Sequence, residues 1–226
     1  LIKRVRAGLP VAWWLAAGQV FGQTSPPCKV SVKLASGEIR EEQLADQPLR
    51  FTTMAGDLRL YAHELTEIVF MNAERGTLAT IYGDSWNVEA KPQLLQNLFL
   101  NPKMRRRVNS VESVKFTSSA EVKASVSGLW VLEFQDGSRV HVFPAMAPIT
   151  LRTEWMDCVL NMQLLDYLEP VGTNKDLRLR LGIGPGDYTL EGRPTGAALA
   201  AADQGGRKIR APWEIFVRAA PAPGKA

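Results

Sequence analysis

Residues 49–70 read LRFTTMAGDLRLYAHELTEIVF. Leu49, Phe51 and Thr53 alternate with Arg50 and Thr52. Ala55-Gly56-Asp57 supplies a turn, and Leu58 and Leu60 resume the apolar series. After a short link, Leu65, Ile68 and Phe70 close the stretch. Successive side chains on a strand point to opposite faces, so this spacing predicts strand, turn, strand, link, strand, with one face buried and one wet.

The same grammar extends upstream. Val30, Val32 and Leu34 alternate with Ser31 and Lys33, Ser36-Gly37 makes a turn, and residues 39–44 return as a charged strand. Shifted by 100 positions, Val30, Val32 and Leu34 fall on Trp130, Leu132 and Phe134, and Ser36-Gly37 falls on Asp136-Gly137. Leu49, Phe51 and Thr53 fall on Ile149, Leu151 and Thr153, while Leu60, Leu65 and Ile68 fall on Leu160, Leu165 and Leu168. The stretches between also match each other: Gly83-Asp84 answers Gly186-Asp187, and Leu98, Val108, Val114 and Phe116 answer Leu199, Ile209, Ile215 and Val217. The expected organisation is four units of about 45 residues, near 28–71, 74–118, 124–171 and 174–218, in two tandem pairs. Residues 118–127 are the boundary between the pairs (28–118 and 124–218), and residues 219–226 read as a disordered tail. A unit of this size buries little alone, and pairing shares a core and covers strand edges. The expected class is therefore all-β, as tandem small barrels or small sandwiches. Within the fourth unit, GRPTGAALAAADQGG (192–206) reads as a long loop or a short Ala-rich helix.

The N-terminus has a different character. Lys3, Arg4 and Arg6 precede the apolar run AGLPVAWWLAAGQVFG, which ends on small residues. That is the layout of a secretory signal peptide over residues 1–22. The competing reading is an uncleaved membrane anchor, but the run is short of the roughly 20 residues that span a bilayer. No other stretch is apolar enough to span, so membrane contact is expected only through this segment. The expected location is periplasmic or secreted. The whole chain carries 27 basic and 23 acidic residues, a net of +4. Removing the three basic residues of the leader leaves 24 against 23, so the positive balance is mostly a targeting effect. A nucleic-acid binder would retain a basic excess, and such a partner is not expected.

The pattern of apolar strand, x-Gly turn, strand, L-x-F-x-T-x-x-G-x-L, short link and I-x-x-I-x-F resembles β-repeat units of secreted proteins of planctomycetes and related bacteria. It is carried here by Val30 to Gly37, Leu49 to Leu60 and Leu65 to Phe70, with echoes at Gly83-Asp84, Asp136-Gly137 and Gly186-Asp187. The same pattern is similar to SH3-like and Sm-like barrels. The resemblance implies small bent sheets placed beside carbohydrate-binding modules. The Asp-x-φ-Asn signature of nucleotide-binding Sm proteins is absent from all the units.

Residues able to do chemistry are sparse. His63 and His141 stand in no metal-ligand spacing, and both read as solvated polar residues. Gly182, Gly184 and Gly186 precede a strand pattern rather than a helix start, so they read as a turn and not as a phosphate loop. No metal site, cofactor or catalytic set is expected. Lys103, Arg105, Arg106 and Arg107 form the dense basic cluster of the mature chain, placed by the repeat register at a hairpin turn. They are candidates for an anion contact or are a solvated turn. Trp155 stands at the turn tip held by Ala55 in the first unit. It either stacks on a sugar or a protein partner, or packs against a neighbouring unit. Trp86 and Trp213 have a weaker claim to such contacts and read as core or edge-covering residues. Cys28 and Cys158 share inward parity and form a candidate disulfide between the first and third units. Together these features suggest an exported, non-catalytic binding or scaffold module of the cell envelope that meets protein or glycan partners through turn tips and sheet edges. The alternative is an Sm-like nucleic-acid binder that uses the basic turn.

Overall fold

The computed structural model of the protein describes residues 26–72, 74–117, 128–143, 148–173, 176–184 and 188–222. The expected leader, the boundary 118–127 and the turn residues Gly186-Asp187 lie outside the described residues. Among those described, no helix is long and apolar enough to cross a membrane.

The fold is all-β. Its first half runs β1 (Cys28–Leu34), β2 (Ile39–Leu44), β3 (Pro48–Thr53), β4 (Gly56–Tyr61), β5 (Leu65–Phe70), β6 (Arg75–Thr80), β7 (Ser85–Glu89), a short helix α1 (Pro102–Arg106) and β8 (Val111–Phe116). Its second half runs β9 (Trp130–Phe134), β10 (Arg139–Phe143), β11 (Ile149–Arg152), β12 (Asp157–Leu160), β13 (Leu165–Val171), β14 (Arg178–Ile183), β15 (Tyr188–Pro194), β16 (Ala198–Asp203), β17 (Lys208–Pro212) and β18 (Phe216–Pro221). Every ladder is antiparallel, and the sheet is open.

In the first half the strands lie side by side as β2-β1-β8-β5-β6-β7-β3-β4. In the second half they lie as β17-β16-β10-β9-β18-β13-β14-β15-β11-β12, which from β10 onward repeats that order of connection. Strands of the expected first and second units interleave, since β5 lies between β6 and β8 and β3 lies against β7.

Alternation does the inward sorting. Cys28, Val30, Val32 and Leu34 of β1 are buried, with exposed Lys29, half-buried Ser31 and exposed Lys33 between them. Across β3 and β4, Leu49 faces Leu60 and Phe51 faces Leu58 on the buried side. Each such apolar side chain contributes roughly 1.5–3 kcal/mol when fully buried. Trp86 and Trp213 are core residues, as their sequence context suggests.

Three local expectations change. The basic cluster is not a hairpin tip: Lys103, Arg105 and Arg106 lie on α1, and Arg107 caps its C-terminus. Pro102 at the first turn and Asn101 at the N-cap start the helix, with the Asn101 side chain accepting the Lys103 N–H at 3.0 Å, and buried Met104 holds it down. The Ala-rich run becomes β16, because Leu199, Ala201 and Asp203 alternate inward and the strand pairs with both β17 and β10. Tertiary pairing overrides the helical preference of alanine here. The composition-based tail begins too early: β18 continues through Pro221, where Ala219 is buried against Leu132 of β9.

Candidate functional site

The two halves meet through two hairpin tips of the same design. In the tip between β6 and β7, Thr80 N–H bonds to Asp84 O at 3.0 Å and Gly83 N–H to Thr80 O at 3.1 Å. In the tip between β16 and β17, Asp203 N–H bonds to Arg207 O and Gly206 N–H to Asp203 O, both at 3.0 Å. Gly83 and Gly206 take positive φ values of 82° and 77°, the left-handed residue that a three-residue hairpin loop requires.

These tips bring charged side chains into the interior. Asp84 and Asp203 are each 1% exposed. Asp84 Oδ1 accepts the His141 N–H at 2.7 Å and lies 3.2 Å from His141 Nδ1, while its Oδ2 is buried with no hydrogen-bond partner. Arg207 donates through Nε to Asp203 Oδ2 at 2.6 Å and through Nη1 to Glu64 Oε1 at 2.7 Å. Its guanidinium also sits over the ring of Tyr82, 5.7 Å from the centroid, and Gln204 donates to Tyr82 O at 3.1 Å. Trp86 of the first half stacks on Phe134 of the second. One guanidinium therefore answers the charges of Glu64 and Asp203 with Asp84 close by. Burial pushes the Asp203 carboxyl up, Arg207 pulls it back only in part, and Asp84 adds repulsion. Burial opposes the charge on Arg207, but Asp203 and Glu64 hold it protonated, above its usual value. Burial, with the charge of Glu64 behind it, pushes the Tyr82 phenol up.

Beside this contact lies a cleft of about 570 Å³ between the β4 edge and the β16–β17 hairpin. Trp86 and Ile209 give it apolar lining, and Arg59, Glu64, Arg207 and Lys208 give it charge. At one end Tyr61 and His63 stack with ring centroids 5.5 Å apart. His63 is fixed there by Asp46, whose carboxylate lies 2.8 Å from Nδ1 and also accepts the His63 N–H at 3.2 Å. Glu64 Oε2 accepts the Tyr61 N–H at 2.9 Å, which ties the end of β4 to the same carboxylate that holds Arg207. Among the described residues, no cluster of three or more His, Cys, Asp or Glu side chains is arranged to hold a metal ion.

The surface of the first half that receives the second is not reproduced at the other end. Glu64 is the last residue of the 3-10 turn 62–64; the matching turn 162–164 ends in Leu164, which is 63% exposed. Ser85 opens β7, and Tyr188 opens β15 at 72% exposed.

The residues singled out by sequence are scattered. Trp155, 87% exposed, stands in the turn between β11 and β12 beside exposed Met156, and among the described residues it does not pack on a neighbouring part of the chain. Arg105 Nε is spent on Phe99 O at 2.6 Å, and Arg107 pairs with Glu38 at 3.0 Å, leaving Lys103 and Arg106 as the outward charges of α1. Cys28 and Cys158 form no disulfide: Cys28 pairs across to Leu44 in β1–β2, and Cys158 to Leu151 in β11–β12, strands with no ladder in common. His141 does not face water on an outer strand; it is part of the contact between halves. The sequence contains Glu64, Asp84 and Asp203-x-x-Gly-Arg207 in plain view as turn residues, but nothing local says that two distant turns abut. No protein family, curated protein or solved structure gives a significant match to the chain.

Proposed function

We propose that the chain is an exported binding module of the cell envelope, without catalysis of its own, that engages a protein or glycan partner through hairpin tips and open strand edges. The reading takes residues 1–22 as a cleaved leader and the mature part as the product of an internal duplication, to which the shared strand order of the halves lends support. The 45-residue period and the likeness to SH3-like and Sm-like barrels remain proposals about origin; the site does not depend on them.

The observation that carries the reading is Trp155. An indole 87% exposed at a tip, next to exposed Met156, adds nothing to this chain's own core. Trp is enriched where binding energy is concentrated, and it presents a flat face to sugars and apolar side chains alike. The matching tip of the first half carries Ala55 and Gly56.

The test places a photo-crosslinking residue at Glu154 in the native host. The expected result is one discrete adduct that disappears in the Trp155→Ser background, with a mature N-terminus near residue 23 in the exported fraction. Absence of any Trp155-dependent adduct, or retention of the intact leader in the cytosol, overturns it.

A further inference from the structure

We propose that the cleft between the halves binds an extended acidic peptide segment, which adds as a strand to the open edge of β4. Among the described residues β4 has a ladder on one side only, with β3. Five of its residues, Gly56 to Arg59 and Tyr61, line the cleft, so the outer edge opens into a walled space rather than onto bulk solvent. An unpaired edge offers alternating N–H and C=O groups at strand spacing, and an added backbone is the ligand that matches them. The cleft volume of about 570 Å³ is ordinary for a ligand site.

Charge selects the kind of strand. Arg50 and Arg59 are directly opposed across β3 and β4 and both are exposed. Like charges in that register destabilise a hairpin unless something answers them. Among the described residues neither forms an ion pair, and neither does Lys208 on the far wall. Arg59 and Lys208 line the cleft, with Arg50 cross-strand from Arg59; against them the cleft offers the acid Asp57, likewise without an ion pair among the described residues, while Glu64 is engaged by Arg207. Two such edges repel each other, which disfavours a second copy of this chain as the occupant and favours an acidic strand. Strand addition stops at Tyr61, whose N–H already belongs to Glu64. The Tyr61–His63 stack closes that end.

This inference rests on the binding-module reading and names the partner's chemistry at a second place on it. The test uses the purified full chain and a fluorescein-labelled octapeptide of alternating Glu and Val. Three other probes accompany it: the Lys-for-Glu octapeptide, an acidic octapeptide N-methylated at alternate residues, and an oligothymidylate. Saturable binding of the acidic peptide is expected, about tenfold or more weaker for the Lys and N-methylated peptides. Arg59→Glu and Arg50→Glu each weaken it by a similar factor, Lys91→Glu does not, and amide exchange slows across residues 56–60. Equal binding of acidic and basic peptides, indifference to N-methylation, unchanged exchange in β4, or a preference for oligothymidylate each overturns the proposal. A silent cleft together with a Trp155-dependent adduct removes this inference alone; loss of both removes the module reading as well.

Discussion

Arg207 is the side chain on which the contact between halves turns. It is one cation facing Asp203 and Glu64, with Asp84 near enough to raise the Asp203 carboxyl further. Breaking a buried pair from one side leaves the other charge stranded, at about 3–5 kcal/mol. Arg207→Leu is therefore expected to bring the onset of urea unfolding to lower denaturant, by an amount corresponding to about that loss. The pH dependence separates Asp203 from its neighbours. Its carboxyl is raised in the fold from an ordinary 3.8, so the folded state holds that proton more tightly than the unfolded chain does. The associated stability is fully present below the unfolded value and is lost as pH rises through the folded one. Asp203→Asn has no such loss. Measured by urea denaturation at a series of pH values, its stability relative to the parent is expected to improve as pH rises through that window. None of this is legible residue by residue. Asp203 and Glu64 are 139 positions apart by number, and an acid in a Gly turn reads as solvated until the turn has a neighbour.

At the scale of elements, the hairpin tips do two different jobs. The β6–β7 tip is structural, and Gly83 in it has φ +82° with His141 as its near neighbour. Gly83→Ala forces a side chain into the left-handed region and is expected to cost about 1–2 kcal/mol in a denaturation curve. The β11–β12 tip is free of such duty. Trp155→Ser is expected to leave stability within about 0.5 kcal/mol while abolishing the crosslinked adduct. Strand existence was legible because alternation is a short-range signal: Val30, Val32, Leu34 and Phe51 announce their faces within a few residues. Helix α1 is hidden by the repeat register, which places Lys103 to Arg107 at a hairpin turn, although Asn101-Pro102 is a sound local start. Strand β16 was obscured because alanine carries little facial contrast, and only its neighbours β10 and β17 choose the strand.

For the molecule as a whole, the halves share buried polar and aromatic contacts, so a single cooperative unfolding transition is expected for the parent chain. Arg207→Leu is expected to split it into two, read by fluorescence of the tryptophans against far-UV circular dichroism. Two coincident transitions in that variant would mean that the stacked Trp86–Phe134 contact suffices. The all-β class was legible from periodicity, but the cleft was not, because it belongs to neither half and arises from the way they are set together. That setting is head to tail. Glu64 and Ser85 receive a neighbour, while Leu164 and Tyr188, in the matching places, receive none among the described residues. The two halves thus stand in a directed order. Substitution therefore has unequal reach at the two places: a change at Glu64 also strands the guanidinium of Arg207, whereas a change at Leu164 falls on an exposed side chain.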